Sequence, residues 1–411
     1  MAAFGIGALA GAKPDHMLKL LHVIPSIAPQ SGGPAGAVVN YANLSSDFAE
    51  VTILTTNEEI KGVTESRLRS EIGLNDSVNL KVCDYFGRHS AKFSRPMLQW
   101  LNRHLPGFDV VHLHAAFSVM TTLTARKCRK FGVPYVFRPL GTLTSYSLAV
   151  GHAKLKRIYW WLLEANTVKY ASRIHVTSPA ERDGVKKLLS DVSVSTIPIS
   201  INQPSPRVTV RKEPGKSSSS RSGNDPTPGP SSDYIKFGFL SRIHPKKNVE
   251  GLFSAFAALE IRNWHLEIAG SGKSEYIEQL QNLTKQLGIQ DRVSWTGFVS
   301  GEAKTRFFQS IDFFLLPSFD ENFGIAAGEA LSHGIPSILS DQVDIGSRGS
   351  SETGVITCRP DPESIREAIE TAVSWSPEFR RERGKRARAM IAGHFNPETI
   401  KQQLRELYTD L

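Results

Sequence analysis

Trp264–Gly288 reads WHLEIAGSGKSEYIEQLQNLTKQLG. An apolar run, WHLEIA, ends in a turn of small residues, and YIEQLQNLTKQLG then reads as a helix. The GSGKS inside it invites comparison with the phosphate cradle of ATPases and GTPases. That loop needs a glycine, four residues, then Gly-Lys-Ser or Gly-Lys-Thr. Glu267 stands where its first glycine belongs. The dinucleotide fingerprint G-x-G-x-x-G fails as well, because Gly270 and Gly272 are followed by Glu275. What remains is a strand feeding a helix through a small-residue turn, and the fold class depends on whether that unit repeats.

It repeats in both directions. Upstream lie LKLLHVIPS from Leu18, EVTILTT from Glu50, DVVHLHAA from Asp109, PYVFRPLG from Pro134 and RIHVTSP from Arg173. YIKFGFLSRI precedes the helical NVEGLFSAFAAL, and VSWTGFV, DFFLLPS, PSILS and TGVITCR follow the opening stretch. Short apolar strands alternating with helices predict α/β architecture, with parallel sheets covered by helices on both faces. A chain of 411 residues is long for one core, so two domains are expected. Between them EPGKSSSSRSGNDPTPGPSSD, Glu213–Asp233, has too little apolar surface to offset its ordering entropy. The expected division is a disordered extension over 1–16, a first Rossmann-like domain over 17–202 and a flexible linker over 203–233. A second domain over 234–395 and a helix over 396–411, packing back on the first domain, complete it. Ligands of such sheets sit outside the carboxyl ends of the strands, so the loops after strands hold the candidates.

Composition narrows the partners. Lysine and arginine number 49 against 40 acids, a net charge of +9, which favours anionic company. No acid occurs between Asp109 and Glu164, a window containing Arg126, Lys127, Arg129, Lys130, Arg138, Lys154, Lys156 and Arg157. A solvated basic face and a face for a membrane or phosphorylated acceptor both fit. AKLKRIYWWLLEA, Ala153–Ala165, mixes cations, tryptophans and leucines as interfacial helices do; a core helix with a basic outer side fits equally. Cys83, Cys128 and Cys358 are scattered singly, which fits a reducing cytoplasm and gives no metal spacing. No run is long enough to cross a membrane. The expected location is cytoplasmic, with peripheral contact on an anionic membrane. An aromatic-interleaved basic module is absent, which argues against a nucleic-acid partner.

FDENFGIAAGEAL, Phe319–Leu331, follows a strand and opens a helix. Asp320 or Glu321 could simply complement the helix dipole. Glu329 is harder to explain, because it sits among Ala326, Ala327 and Ala330. The functional alternative has Asn322, Phe323 and Gly324 offering amides to a pyrophosphate. Glu329 would then accept both hydroxyls of a ribose, since one carboxylate has two oxygens.

Glu321, seven residues, then Glu329 resembles the paired-glutamate motif of the retaining GT-B glycosyltransferases of family 4. LSRIHPKKN, Leu240–Asn248, resembles the segment whose arginine and lysine hold the donor diphosphate in that family, here Arg242 and Lys247. Two cations beyond a strand end suit a leaving group that gathers negative charge. SIAPQSGGPAG resembles the family's first glycine-rich loop and implies donor contact for Gly32 and Gly33. DVVHLHAA implies a place for His114 over the donor sugar, although a lone histidine at a strand end is more often structural. FRPLGTL departs from the usual proline-histidine-glycine or proline-arginine-glycine, so Arg138 is only an acceptor-side candidate. IPISIN also departs from the family's crossover segment. The resemblance implies a GT-B fold and transfer of a hexose from a UDP- or GDP-sugar to a glycan or lipid-linked acceptor. It further implies retained configuration, no metal requirement and a setting in polysaccharide or lipopolysaccharide assembly. An epimerase of similar fold and a basic nucleic-acid binder are the rival readings.

Overall fold

The computed structural model describes residues 17–87, 93–144, 153–204 and 234–411; the expected extension over 1–16 and all but the first two residues of the expected linker over 203–233 lie outside them. Two parallel sheets form the frame. The first contains β1 (Leu18–Val23), β2 (Ala49–Thr56), β3 (Asn79–Cys83), β4 (Val110–His114), β5 (Tyr135–Arg138), β6 (Arg173–Val176) and β7 (Val194–Thr196), in the order β3-β2-β1-β4-β5-β6-β7. The second contains β8 (Ile235–Leu240), β9 (Trp264–Ala269), β10 (Val293–Gly297), β11 (Phe313–Leu316), β12 (Ser337–Ser340) and β13 (Val355–Cys358), in the order β10-β9-β8-β11-β12-β13. The α/β class with two Rossmann-like sheets is as the alternation predicted.

Central strands are buried at every position, β4 and β11 among them, because helices cover both faces. The sequence reading passed over β3 and β7. Both are sheet edges; β3 alternates exposed and covered residues, and β7 is three residues long. Edge strands need no continuous apolar run, so they leave a weak signal.

The opening stretch forms β9 and the helix Ser274–Gln286. Its glycines are there for a close approach between loops. A Cβ on Gly270, whose φ is +139°, would stand 1.8 Å from the Ser241 carbonyl oxygen, and one on Gly272 would stand 2.4 Å from that of Ile243. The loop after β9 therefore runs against the loop after β8.

Each sheet reverses its strand order once, between β1 and β4 and between β8 and β11. Loops diverge at such a point and leave a crevice. The halves also meet through the chain's end. The helix Pro397–Thr409 lies on the helix Gly33–Ser45, burying Ile400, Leu404, Leu407 and Tyr408. Lys401 pairs with Asp47 at 2.8 Å, and the Ile201 N–H donates to the Phe395 carbonyl at 3.1 Å.

Candidate active site

At the second sheet's reversal, the loop after β8 brings cations and the loop after β11 brings carboxylates. Lys247 bonds the Glu321 carboxylate, and Lys246 pairs with Asp320 at 2.6 Å. The loops are also joined through the backbone, where the Phe319 N–H donates to the Lys246 carbonyl at 2.9 Å. Asn248 holds the lysine loop in shape. It takes a left-handed conformation, φ +58°, and its side-chain amide donates to the Pro317 and Pro360 carbonyls at 3.1 and 2.8 Å. Asparagine tolerates that conformation because its short polar side chain bonds locally. Its place after two lysines was the sequence signal for this role, and it went unread.

Cations outnumber carboxylates in the crevice, with Arg242, Lys246, Lys247 and Lys273 near Asp320 and Glu321. Arg242 is exposed beside the pairs, close enough for its charge to act on Lys247. Burial, with Lys246 and Arg242 next, pushes the Lys247 amine down to about 7. Burial lowers His244 too, and the charges of Arg242, Lys247, Lys246 and Lys273 add to that. Lys273 of the GSGKS turn therefore stands within electrostatic reach of the same crevice.

The carboxylates are not helix caps. The helix is Ile325–Ser332 and has no acid in its first turn. Gly324, at φ +89°, bends the chain before it, and Glu321 is held by backbone contact with Gln342 at 3.0 Å. The Phe323 side chain is buried edge-on against Phe395, 5.3 Å between ring centres. Only its backbone remains for a ligand. Glu329 is half-buried and pairs with Lys304 at 2.5 Å, which accounts for a carboxylate among alanines.

Asn322 turns to the other half of the protein. Its amide nitrogen donates to Thr177 Oγ1 at 2.7 Å and to Glu181 Oε2 at 3.0 Å, while the Ser178 hydroxyl donates to its oxygen at 3.2 Å. Glu181 is buried and also accepts from the Gly141 N–H at 2.5 Å and the Thr177 N–H at 2.9 Å. Gly141 has φ +71°, and a Cβ there would stand 2.7 Å from that of Asn322. Gly33 faces the start of the Ile325–Ser332 helix, with Ile325 Cδ1 3.5 Å from the position of an added Cβ. Gly32, at φ +73°, precedes it with nothing within 4 Å of such a Cβ. Thr177, Ser178 and Glu181 were missed from sequence. Ser178 and Glu181 have the spacing of a helix capping box, and the Ser178 hydroxyl does accept the Glu181 N–H at 3.1 Å.

The structure buries His114 and Arg138. The His114 ring is fully buried and lies 2.9 Å from His22 through ring nitrogens. His22, His112, His114 and His175 share one face of the first sheet. His112 is 3.3 Å from His175 and 2.9 Å from the Tyr408 hydroxyl of the closing helix. Burial, and then the Arg138 charge, lower His22 and His175 to about 3. His112 and His114 are held well below their ordinary range, also chiefly by burial. His22, His112 and His114 have metal-ligand spacing, but the nearby guanidinium opposes a cation there. Arg138 is itself buried, with its guanidinium 4.9 Å from the Tyr41 ring centre. The register pairs His114 with Arg138 at the ends of β4 and β5, beneath the helices that cover this face.

Two Rossmann-like sheets, with a cation loop and a carboxylate loop meeting at one reversal, define a GT-B α/β protein. Residues 32–198 match the family described as "Glycosyl transferase 4-like domain", and residues 223–390 match "Glycosyl transferases group 1". The chain belongs to the group 1 glycosyltransferases. It is 33% identical over 138 residues to an uncharacterized glycosyltransferase of Methanocaldococcus jannaschii, covering 33% of this chain and 35% of that one. It is 25% identical to the GDP-mannose:cellobiosyl-diphosphopolyprenol alpha-mannosyltransferase of Komagataeibacter xylinus, covering 80% of this chain and 76% of that protein. The solved structure of Anabaena HepE in complex with UDP and glucose superposes with a TM-score of 0.72 at 15% identity, covering 96% of this chain and 100% of that one. No helix among the described residues is long and apolar enough to cross a membrane.

Proposed function

We propose that the protein transfers a hexose from a nucleoside diphosphate sugar, UDP- or GDP-linked, to a hydroxyl of a glycan or lipid-linked acceptor, retaining the anomeric configuration. The observation that carries this reading is the double pairing of Lys246 with Asp320 and Lys247 with Glu321 across the second sheet's reversal. Without a ligand, the cations there are only partly neutralised. A diphosphate would complete the neutralisation, with Arg242 supplying a planar fork and Lys247 a point charge. Glu321, relieved of Lys247, would hold hydroxyls of the sugar. Glu329 would accept the ribose hydroxyls with the oxygen that Lys304 leaves free. The backbone around Asn322–Gly324 and the glycine loop at Gly32 and Gly33 would line the phosphates.

In the transfer itself, the bond from the anomeric carbon to the diphosphate breaks and the acceptor oxygen bonds to that carbon on the same face. The acceptor proton passes to the departing phosphate. The reading assigns charge neutralisation to these side chains, and turnover is expected to survive chelation of divalent metals. The lipid-linked substrate in the mannosyltransferase relative's name supports an acceptor of that kind and a setting in polysaccharide or lipopolysaccharide assembly.

A thermal-shift screen across nucleoside diphosphates tests the site, and NMR of the product anomer tests the stereochemistry. Stabilisation by UDP or GDP, lost in Arg242→Ala, is the expected result. A protein that no nucleotide stabilises, or a product of inverted configuration, overturns the reading.

A further inference from the structure

The acid-free window runs from Val110 to Leu163. It includes the helix Val119–Phe131 and most of a second helical run made of Ala153–Tyr159 and a π turn, Trp160–Glu164. The run's inner side is tied down. The Tyr159 hydroxyl lies 2.9 Å from Thr122 Oγ1, and the Thr122 hydroxyl donates to Glu164 at 3.3 Å. The Tyr159 ring meets Phe117 edge-on, 6.0 Å between centres. Phe117 follows β4, so the run is anchored at the end of the sheet where the crevice opens.

The outer side carries large apolar residues interspersed with cations. Leu155 is 63% exposed, Ile158 56%, Trp161 79% and Leu162 54%. Lys154 and Arg157 are exposed among them. Nearby, half-exposed Tyr170 has Arg129 4.9 Å and Lys169 5.9 Å from its ring centre. Single exposed apolar residues need no explanation, but four large ones on one short run do. Cations with long apolar stems among leucine, isoleucine and tryptophan suit the boundary between lipid headgroups and acyl chains. A second copy of the chain suits it poorly, because self-association would oppose two cationic faces.

We propose that the exposed face of Lys154–Leu162 is a docking surface for an anionic phospholipid bilayer. The apolar side chains enter the interface and the lysines and arginines meet the headgroups. The acceptor-side crevice is thereby held at the membrane surface. The proposal goes beyond the transfer reaction and needs no donor for its test.

The full chain is sedimented with vesicles of phosphatidylcholine, alone or mixed with phosphatidylglycerol, at low and high salt. Binding is expected only to the mixed vesicles and is weakened by salt. Lys154→Ala with Arg157→Ala should weaken partitioning about thirtyfold. Trp161→Ser with Leu162→Ser should weaken it about tenfold or more. All four residues are exposed, so unchanged thermal midpoints are expected in these variants. Nucleotide-induced thermal shifts on the same samples report the donor site separately. No binding to mixed vesicles at low salt, or equal binding by the variants, overturns the proposal. So does a dimer in light scattering that the Trp161→Ser, Leu162→Ser variant dissolves, which would assign the face to self-association.

Discussion

Lys247 is nine-tenths buried beside two other cations, and Glu321 is the carboxylate that holds it. Its amine, lowered to about 7 from 10.5, is poised to respond to an anion. A bound diphosphate favours the charged form and raises the value again. Between about pH 7 and 10.5 nucleotide binding should therefore take up a proton, and affinity should fall as pH rises through that window. Calorimetry in two buffers of different ionisation heat measures the uptake, and identical heats would remove Lys247 from the site. The sign for stability is the opposite. The unfolded lysine binds the proton more readily than the folded one, so the empty protein should gain stability across the same rise in pH. Lys247→Ala should lower kcat about a hundredfold, the scale for losing one preorganised charge-stabilising donor. Lys246→Ala should lower it less, because Lys246 pairs with Asp320 and not with Glu321. The reverse ranking would exchange their roles. The family resemblance pointed to Lys247, but neither lysine's carboxylate partner could be read from the sequence. Each pair joins the ends of two strands that only the parallel topology makes adjacent.

Between elements, Glu181 ties the Gly141 loop, the strand end at Thr177 and Asn322 of the other half into one network. Glu181→Gln replaces an acceptor oxygen with a donor and leaves a buried N–H unmet, a cost of about 1–3 kcal/mol in urea unfolding. Combined with Asn322→Ala, the two losses should not add, because the residues share one hydrogen bond. Strict additivity would mean that the bond does not form in solution. This network was illegible in the sequence because 141 positions separate Glu181 from Asn322. The histidines hid for a similar reason. VVHLH displays His112 and His114, but their neighbours come from β1 and β6 and from the closing helix. Their folded values lie below the ordinary 6.5, so the unfolded chain binds protons first on acidification. The histidines' share of the stability is complete above about pH 6.5 and should drain away towards pH 3. A thermal midpoint that stays level over that interval would contradict the buried layer.

At the scale of the molecule, the alternation of apolar runs disclosed two α/β halves because buried parallel strands need continuous apolar stretches. The union of the halves left a fainter trace. PETIKQQLRELYT shows only a helical period, with nothing to say which surface it covers. In the structure this last helix belongs to the second half by sequence and to the first by packing. Its Leu404 is fully buried, and Tyr408 caps the histidine layer of the first sheet. The strap therefore joins the stability of the two halves. Leu404→Ala should cost about 2–5 kcal/mol through lost burial and a residual cavity. Were the halves independent, that loss would show as an earlier transition of the first half alone, with the second half's unfolding unchanged. The strap predicts instead that one cooperative transition moves as a whole, because releasing the helix frees a surface on each side. Calorimetry distinguishes the two outcomes, since a single shifted peak supports the strap and a split peak refutes it. Nucleotide added to the same sample should raise the single peak in both wild type and variant by mass action, because Leu404 is not itself a proposed ligand contact.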